Sequence, residues 1–274
     1  RRELATPVAE DDPQRSTNAK RQTLRRNDAD LEVSRLLADA VIAAGLGAGG
    51  RSGKKREEAY ESLRVAVSRA YPAEGEAGTS MLEAILERGL TPAVPTDYER
   101  WHCIHWPLEL PDVIQDHGGF DAIIGNPPFL GGKKISGANG VNLREWYVSV
   151  VGEERKGNAD LVAYFFLRAL SLLRPTGTLG LIATNTVAQG DTREVGLDQM
   201  VGQGFTITRS IQSKKWPAQT AKLDYAAIWG TRGAVPDNVP RVCDGVQVKR
   251  ISTLLKSLGF VEGEPRRLYE NAGI

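Results

Sequence analysis

Along the chain, apolar positions recur first at helical spacing and later in short continuous runs. From Leu31 to Ala44 the residues Leu31, Val33, Leu36, Leu37, Ala40, Val41 and Ala44 repeat at the period of an amphipathic helix. The glycine-rich stretch Gly45-Leu46-Gly47-Ala48-Gly49-Gly50 ends it. Further helices are predicted over Lys55 to Arg69, with Tyr60, Leu63, Val65 and Val67 available for packing, and near Ser80 to Arg88. The pattern then changes. Phe120 to Gly125 and Thr178 to Thr184 are short apolar runs that predict buried strands, and Phe205 to Ile211 and Leu223 to Trp229 read the same way. Between them an apolar helix runs from Ala159 to Leu173, stopped by Arg174-Pro175 and Gly177, and a short helix follows near Glu194 to Val201. Strands alternating with helices predict an α/β domain with a largely parallel sheet. Residues 1–30 are polar and lack an apolar period, so a disordered or loosely attached arm is expected there.

Composition narrows the picture only slightly. With 41% hydrophobic and 25% charged residues, the 274-residue chain is ordinary for a globular protein. A net charge of +1 confines any nucleic-acid surface to a local patch. Cys103 and Cys243 form no CxxC pair, which argues against a zinc site or disulfide framework and makes a reducing cytoplasm the expected compartment. No apolar run approaches the roughly 18 residues of a membrane helix. The first residue is Arg1 rather than methionine, as expected of a fragment, a processed product or a deliberately trimmed chain.

The chemistry concentrates after the first predicted strand, in Gly125-Asn126-Pro127-Pro128-Phe129. Two consecutive prolines cannot continue a sheet, and each forces its predecessor into an extended conformation. Asn126 and Pro127 are thereby held rigidly at a strand's carboxyl end, where open α/β sheets bind ligands. A side-chain amide oxygen and a neighbouring carbonyl on such a frame can accept both hydrogens of a planar amino group. Phe129 offers a face for the ring that bears the amine. Accepting both hydrogens pulls the nitrogen lone pair away from the ring.

Asn-Pro-Pro-Phe after Asp121-Ala122-Ile123-Ile124-Gly125 resembles the catalytic motif of amino-methyltransferases, above all adenine-N6 DNA methyltransferases. Cytosine-N4 enzymes more often carry serine where Asn126 stands. His105-Trp106-Pro107-Leu108-Glu109-Leu110-Pro111 is similar to a segment of large single-chain methyltransferases, including fused restriction–modification enzymes and the methylases of BREX and DISARM phage-defence systems. Gly157 to Phe166 resembles the family's helix beside the donor adenine, and Ile182 to Thr186 with Gln189 to Arg193 resembles the next strand and its active-site loop.

The resemblance implies a partial Rossmann-like class I methyltransferase sheet with flanking helices, preceded by a helical segment. It also implies S-adenosylmethionine as methyl donor and double-stranded DNA as substrate, with the adenine extruded from the stack. Asn126, Pro127, Pro128 and Phe129 are the implied catalytic turn, and Asp160 and Leu161 lie at the implied donor pocket. Asp160 also opens a helix, so capping is an equal alternative. Lys133 and Lys134, in a glycine-rich stretch able to close over the base, and Arg193, Lys214 and Lys215 are the candidate DNA contacts. His102 and His105 lack ligand-spaced partners and read as packing residues.

The family's donor-binding glycine turn and ribose-binding acid are not identifiable upstream, since Gly45 to Gly50 follows a helical rather than a strand pattern. The expectation is a chain holding the substrate half of the sheet, with donor-binding and target-recognition segments elsewhere in its parent or in a partner chain. The expected domains are the arm at 1–30, a helical segment at 31–100, the catalytic core at 101–235 and a connector at 236–274. That connector includes Glu262 to Leu268, Glu270 and Asn271. Alternatives are a silent DNA-binding or scaffold remnant, or an enzyme acting on RNA adenine or protein glutamine.

Overall fold

The computed structural model describes residues 4, 6–8, 10–155, 157–217 and 224–257. It divides into two compact units, Arg1–Asp116 and His117–Ile274.

The first unit is helical. Its longest element, α1 (Pro13–Gly47), begins where Asp12 accepts a hydrogen bond from the Arg15 N–H at 3.0 Å and Pro13 takes the first helical position. The arm expected over 1–30 is therefore helical from Pro13 onward. Neither glycine nor proline interrupts Gln14 to Ala44, and a helix nucleated by its packed end propagates through such residues without needing an apolar face. Only the last turns are buried, at Ala40, Ala43, Ala44, Gly45 and Leu46.

Two further helices, α2 (Lys54–Ala70) and α3 (Ser80–Leu90), pack on that end. Gly89 sets the closeness of α3, since a Cβ there would lie 2.0 Å from the Ala43 carbonyl oxygen. Gly45 and Gly47 belong to the last turn of α1, and the chain leaves it through Gly49 and Gly50 at positive φ. This stretch is a helix end, not a strand-to-helix turn. The short helix α4 (Trp106–Glu109) also belongs to the first unit.

The second unit is a six-stranded sheet with flanking helices. Strand β1 (Phe120–Gly125) leads to α5 (Gly132–Asn139) and α6 (Val141–Trp146), then to α7 (Leu161–Leu172) and β2 (Leu173–Thr184). After a 3₁₀ turn come α8 (Gly190–Val195) and α9 (Leu197–Gly202), β3 (Phe205–Lys215), β4 (Asp224–Arg232), β5 (Arg241–Cys243) and β6 (Val246–Val248). Apolar residues surround most of α7; Val162, Phe166, Leu167 and Leu170 bury into a core with Leu179, Leu181, Met200, Phe205 and Ile228.

The strand order is β1-β2-β4-β3-β5-β6. Only β1–β2 and β3–β5 pair in parallel among the described strands, so the sheet is mixed rather than largely parallel. The cause is β4, which returns antiparallel and inserts between β2 and β3. The single helix expected over 194–201 is broken at Gly196, where a Cβ would sit 3.2 Å from that of Ala163. Residues 236–257, expected as part of a connector, extend the sheet through β5 and β6, with Arg241 and Cys243 buried. The remainder of that connector, and Leu223, lie outside the described residues.

Candidate active site

Strand β1 runs parallel to β2 and ends with Gly125 opposite Leu181. The next residue, Asn126, is exposed, Pro127 is buried, and Pro128 is exposed. Phe129 and Leu130 are half-buried and pack against the core. The turn is thus anchored at both ends: by the ladder at Gly125 and by backbone hydrogen bonds at Leu130. The Leu130 N–H donates to Asp160 Oδ1 at 3.2 Å, and its carbonyl accepts from the Leu161 N–H at 2.9 Å. Between these anchors the prolines remove most backbone freedom, so the Asn126 amide is presented on a stiff support.

Asp160 is the N-cap of α7, its Oδ1 also accepting from the Val162 N–H at 3.0 Å. Its own N–H donates to Thr192 Oγ1 at 3.0 Å. Leu161 is buried in the core. Both residues expected at a donor pocket are thus engaged in holding the loops.

The sheet register brings further residues to the same end. Thr184, at the carboxyl end of β2, pairs with Tyr225 of β4, which pairs with Lys214 of β3. Lys214 and Lys215 are exposed, and Trp216 meets Tyr225 edge-on with ring centroids 5.5 Å apart. At about 4.8 Å per strand, β1 and β3 lie roughly 15 Å apart across this edge. Tyr225 escaped the sequence reading because strand order is not legible in a linear pattern.

Lys133 and Lys134 are exposed on α5, a helix where a glycine-rich loop able to close over the base was expected. That segment is ordered because Ile135 enters the core and Gly132 lies against the backbone of Asn158 and Ala159, where a Cβ would approach within 2.4 Å. Arg193 is a correction. Its side chain is only 12% exposed and donates through Nε to Asp198 Oδ2 at 3.2 Å, so its charge is neutralised inside the unit rather than offered to phosphate.

A solved structure of the type IIL restriction–modification enzyme MmeI, in complex with DNA, is similar at 20% identity and a TM-score of 0.43. The match covers 53% of this chain and 21% of MmeI, so the chain spans only a small part of that enzyme's length. A search of curated proteins finds no match. The Eco57I restriction-modification methylase model matches residues 57–208, more than half of the chain and a span that includes the Asn126 turn, Asp160 and Thr192. The chain belongs to the Eco57I restriction-modification methylase family.

Proposed function

We propose that this chain carries the substrate-binding turn of an S-adenosylmethionine-dependent DNA methyltransferase that modifies the N6 amine of adenine within a restriction–modification or phage-defence system. The observation that carries this is the Asn126 amide, exposed and held rigidly between the β1 ladder and the Leu130 anchor. In this reading the Asn126 side-chain oxygen and the Pro127 carbonyl each accept one N–H of the adenine amine. Drawing both hydrogens into hydrogen bonds turns the nitrogen lone pair away from ring conjugation and makes it the nucleophile. Pro128 keeps the turn extended, and half-exposed Phe129 stacks on the extruded base. The arrangement works by positioning, which alone can lower a barrier by several kcal/mol, about 7 or more in favourable cases.

The methyl group is supplied by S-adenosylmethionine, which in this reading is held by segments of the parent protein or of a partner chain. Double-stranded DNA approaches the sheet edge that carries Lys214 and Lys215, with Lys133 and Lys134 on α5 as further phosphate contacts.

The test is transfer of labelled methyl from S-adenosylmethionine to DNA lacking N6-methyladenine by the parent protein, with Asn126→Ala beside the wild type. Label on adenine, abolished by the substitution, is the expected result. Label on RNA or on protein glutamine would sink the DNA assignment.

A further inference from the structure

We propose that Asp160 is a positioning residue for the transfer reaction: its carboxylate fastens the loop after β1 to the start of α7, which its backbone N–H ties in turn to Thr192 of α8, and so fixes where Asn126 stands. The inference rests on the methyltransferase reading above. Three separate chain segments meet at this residue, two of them at its carboxylate and the third at its backbone N–H. Its Oδ1 takes the Leu130 N–H at 3.2 Å and the Val162 N–H at 3.0 Å, while its backbone N–H goes to Thr192 Oγ1 at 3.0 Å. Both Asp160 and Thr192 are buried, at 8% and 7% exposure. Around them the same segments are joined twice more. The Leu161 N–H binds the Leu130 carbonyl at 2.9 Å, and the Asn158 N–H binds Asp191 Oδ2 at 2.7 Å.

A helix cap alone does not require this arrangement. Capping α7 needs only an oxygen near the Val162 N–H, which a serine provides about as well as an aspartate. The longer carboxylate reaches across to Leu130 as well, four residues beyond Asn126. The buried charge is satisfied by N–H groups and by the positive end of the α7 dipole. Because two prolines stiffen the chain between, a shift at Leu130 is transmitted to Asn126 rather than absorbed.

Asp160→Ser separates the two roles, since it keeps the cap and is too short to hold Leu130. Compared in the full chain with wild type and Asp160→Asn, it is expected to melt within about 3 °C of wild type. The Leu130 amide in Asp160→Ser should exchange hydrogen about tenfold faster or more, with α7 still protected. Its kcat for adenine methylation should fall about 100-fold with KM for donor and DNA little changed. Asp160→Asn, which keeps the acceptor oxygen, should restore kcat to within about threefold. Unchanged protection of Leu130 in Asp160→Ser, or wild-type kcat in that variant, overturns the proposal. A loss confined to the donor KM assigns Asp160 to ligand binding and overturns it equally. Absence of transfer by the wild-type parent protein sinks the methyltransferase reading and the catalytic half of this one, while exchange at Leu130 still decides whether the staple exists.

Discussion

The guanidinium of Arg35 meets the carboxylate of Glu109 in two parallel hydrogen bonds, Nε to Oε1 at 2.7 Å and Nη2 to Oε2 at 2.8 Å. One turn along α1, Asp39 accepts a hydrogen bond from His105 Nε2 at 2.8 Å. The spacing of four residues on both sides makes a two-rung ladder between α1 and the His105–Glu109 segment. The charged members of that segment, conspicuous in the sequence, therefore hold a helix. Removing one partner should loosen α4. A double-mutant cycle with Arg35→Ala and Glu109→Ala is expected to give a coupling of about 0.5–1 kcal/mol, the upper range for a partly exposed pair with bidentate geometry. Zero coupling would leave the ladder without energetic content.

Cys103 lies beside the same ladder. Its thiol is pushed up to about 11, by burial first and then by the charge and hydrogen bonding of Asp39. The thiolate is the reactive form, so alkylation at neutral pH should be much slower than for an ordinary cysteine of pKa about 8.5. The rate should keep climbing with pH beyond that ordinary value, and Asp39→Asn should speed it. Mass spectrometry of the Cys103 peptide reads this directly; a plateau at the ordinary value would contradict the placement.

Glycine substitutions should separate by sign. A Cβ on Gly132 meets the Asn158 carbonyl group at 2.4 Å, and one on Gly89 meets the Ala43 oxygen at 2.0 Å, both backbone atoms that cannot step aside. Gly132→Ala and Gly89→Ala are each expected to destabilise by about 1–3 kcal/mol. Gly137, within α5, has nothing within 4 Å, and Gly137→Ala should stabilise by about 0.4–1 kcal/mol through the unfolded chain. Urea midpoints of the three variants decide the matter.

At the start of β1, Asp121 accepts from Arg174 Nε at 2.6 Å, and this hydrogen bond, then the guanidinium charge, holds its carboxyl below the usual aspartate range. A depressed folded-state value means that the pair's contribution is present above the unfolded pKa, near 3.9, and is lost as pH falls through the folded value. Titration of the Asp121 carboxyl by carbon NMR should show a depressed midpoint, and Arg174→Gln should raise it. An unshifted midpoint in the wild type would mean that the pair does not form in solution.

Much of the second unit was legible because its signals are local. Phe120–Gly125 is a strand at the expected residues, although an exposed edge strand rather than a buried one, and helix α7 differs by only a residue or two at its ends. A run of apolar residues closed by glycine or proline carries its own conformational preference. The helix over 13–30 was not legible, because hydrophobic periodicity reports burial and that stretch is helical without being buried.

The sequence by itself determined the rigid Asn126-Pro127-Pro128-Phe129 turn, since proline geometry needs no neighbour to act. Tertiary structure alone decided the strand order, which sets Thr184, Tyr225 and Lys214 on the same sheet edge. It also decided that Arg193 pairs inward with Asp198, and that Asp160 joins Leu130 to Thr192 across separations of 30 and 32 residues. Hydrogen bonds of that kind depend on where a folded backbone brings donors and acceptors within about 3 Å, and no local pattern encodes that distance.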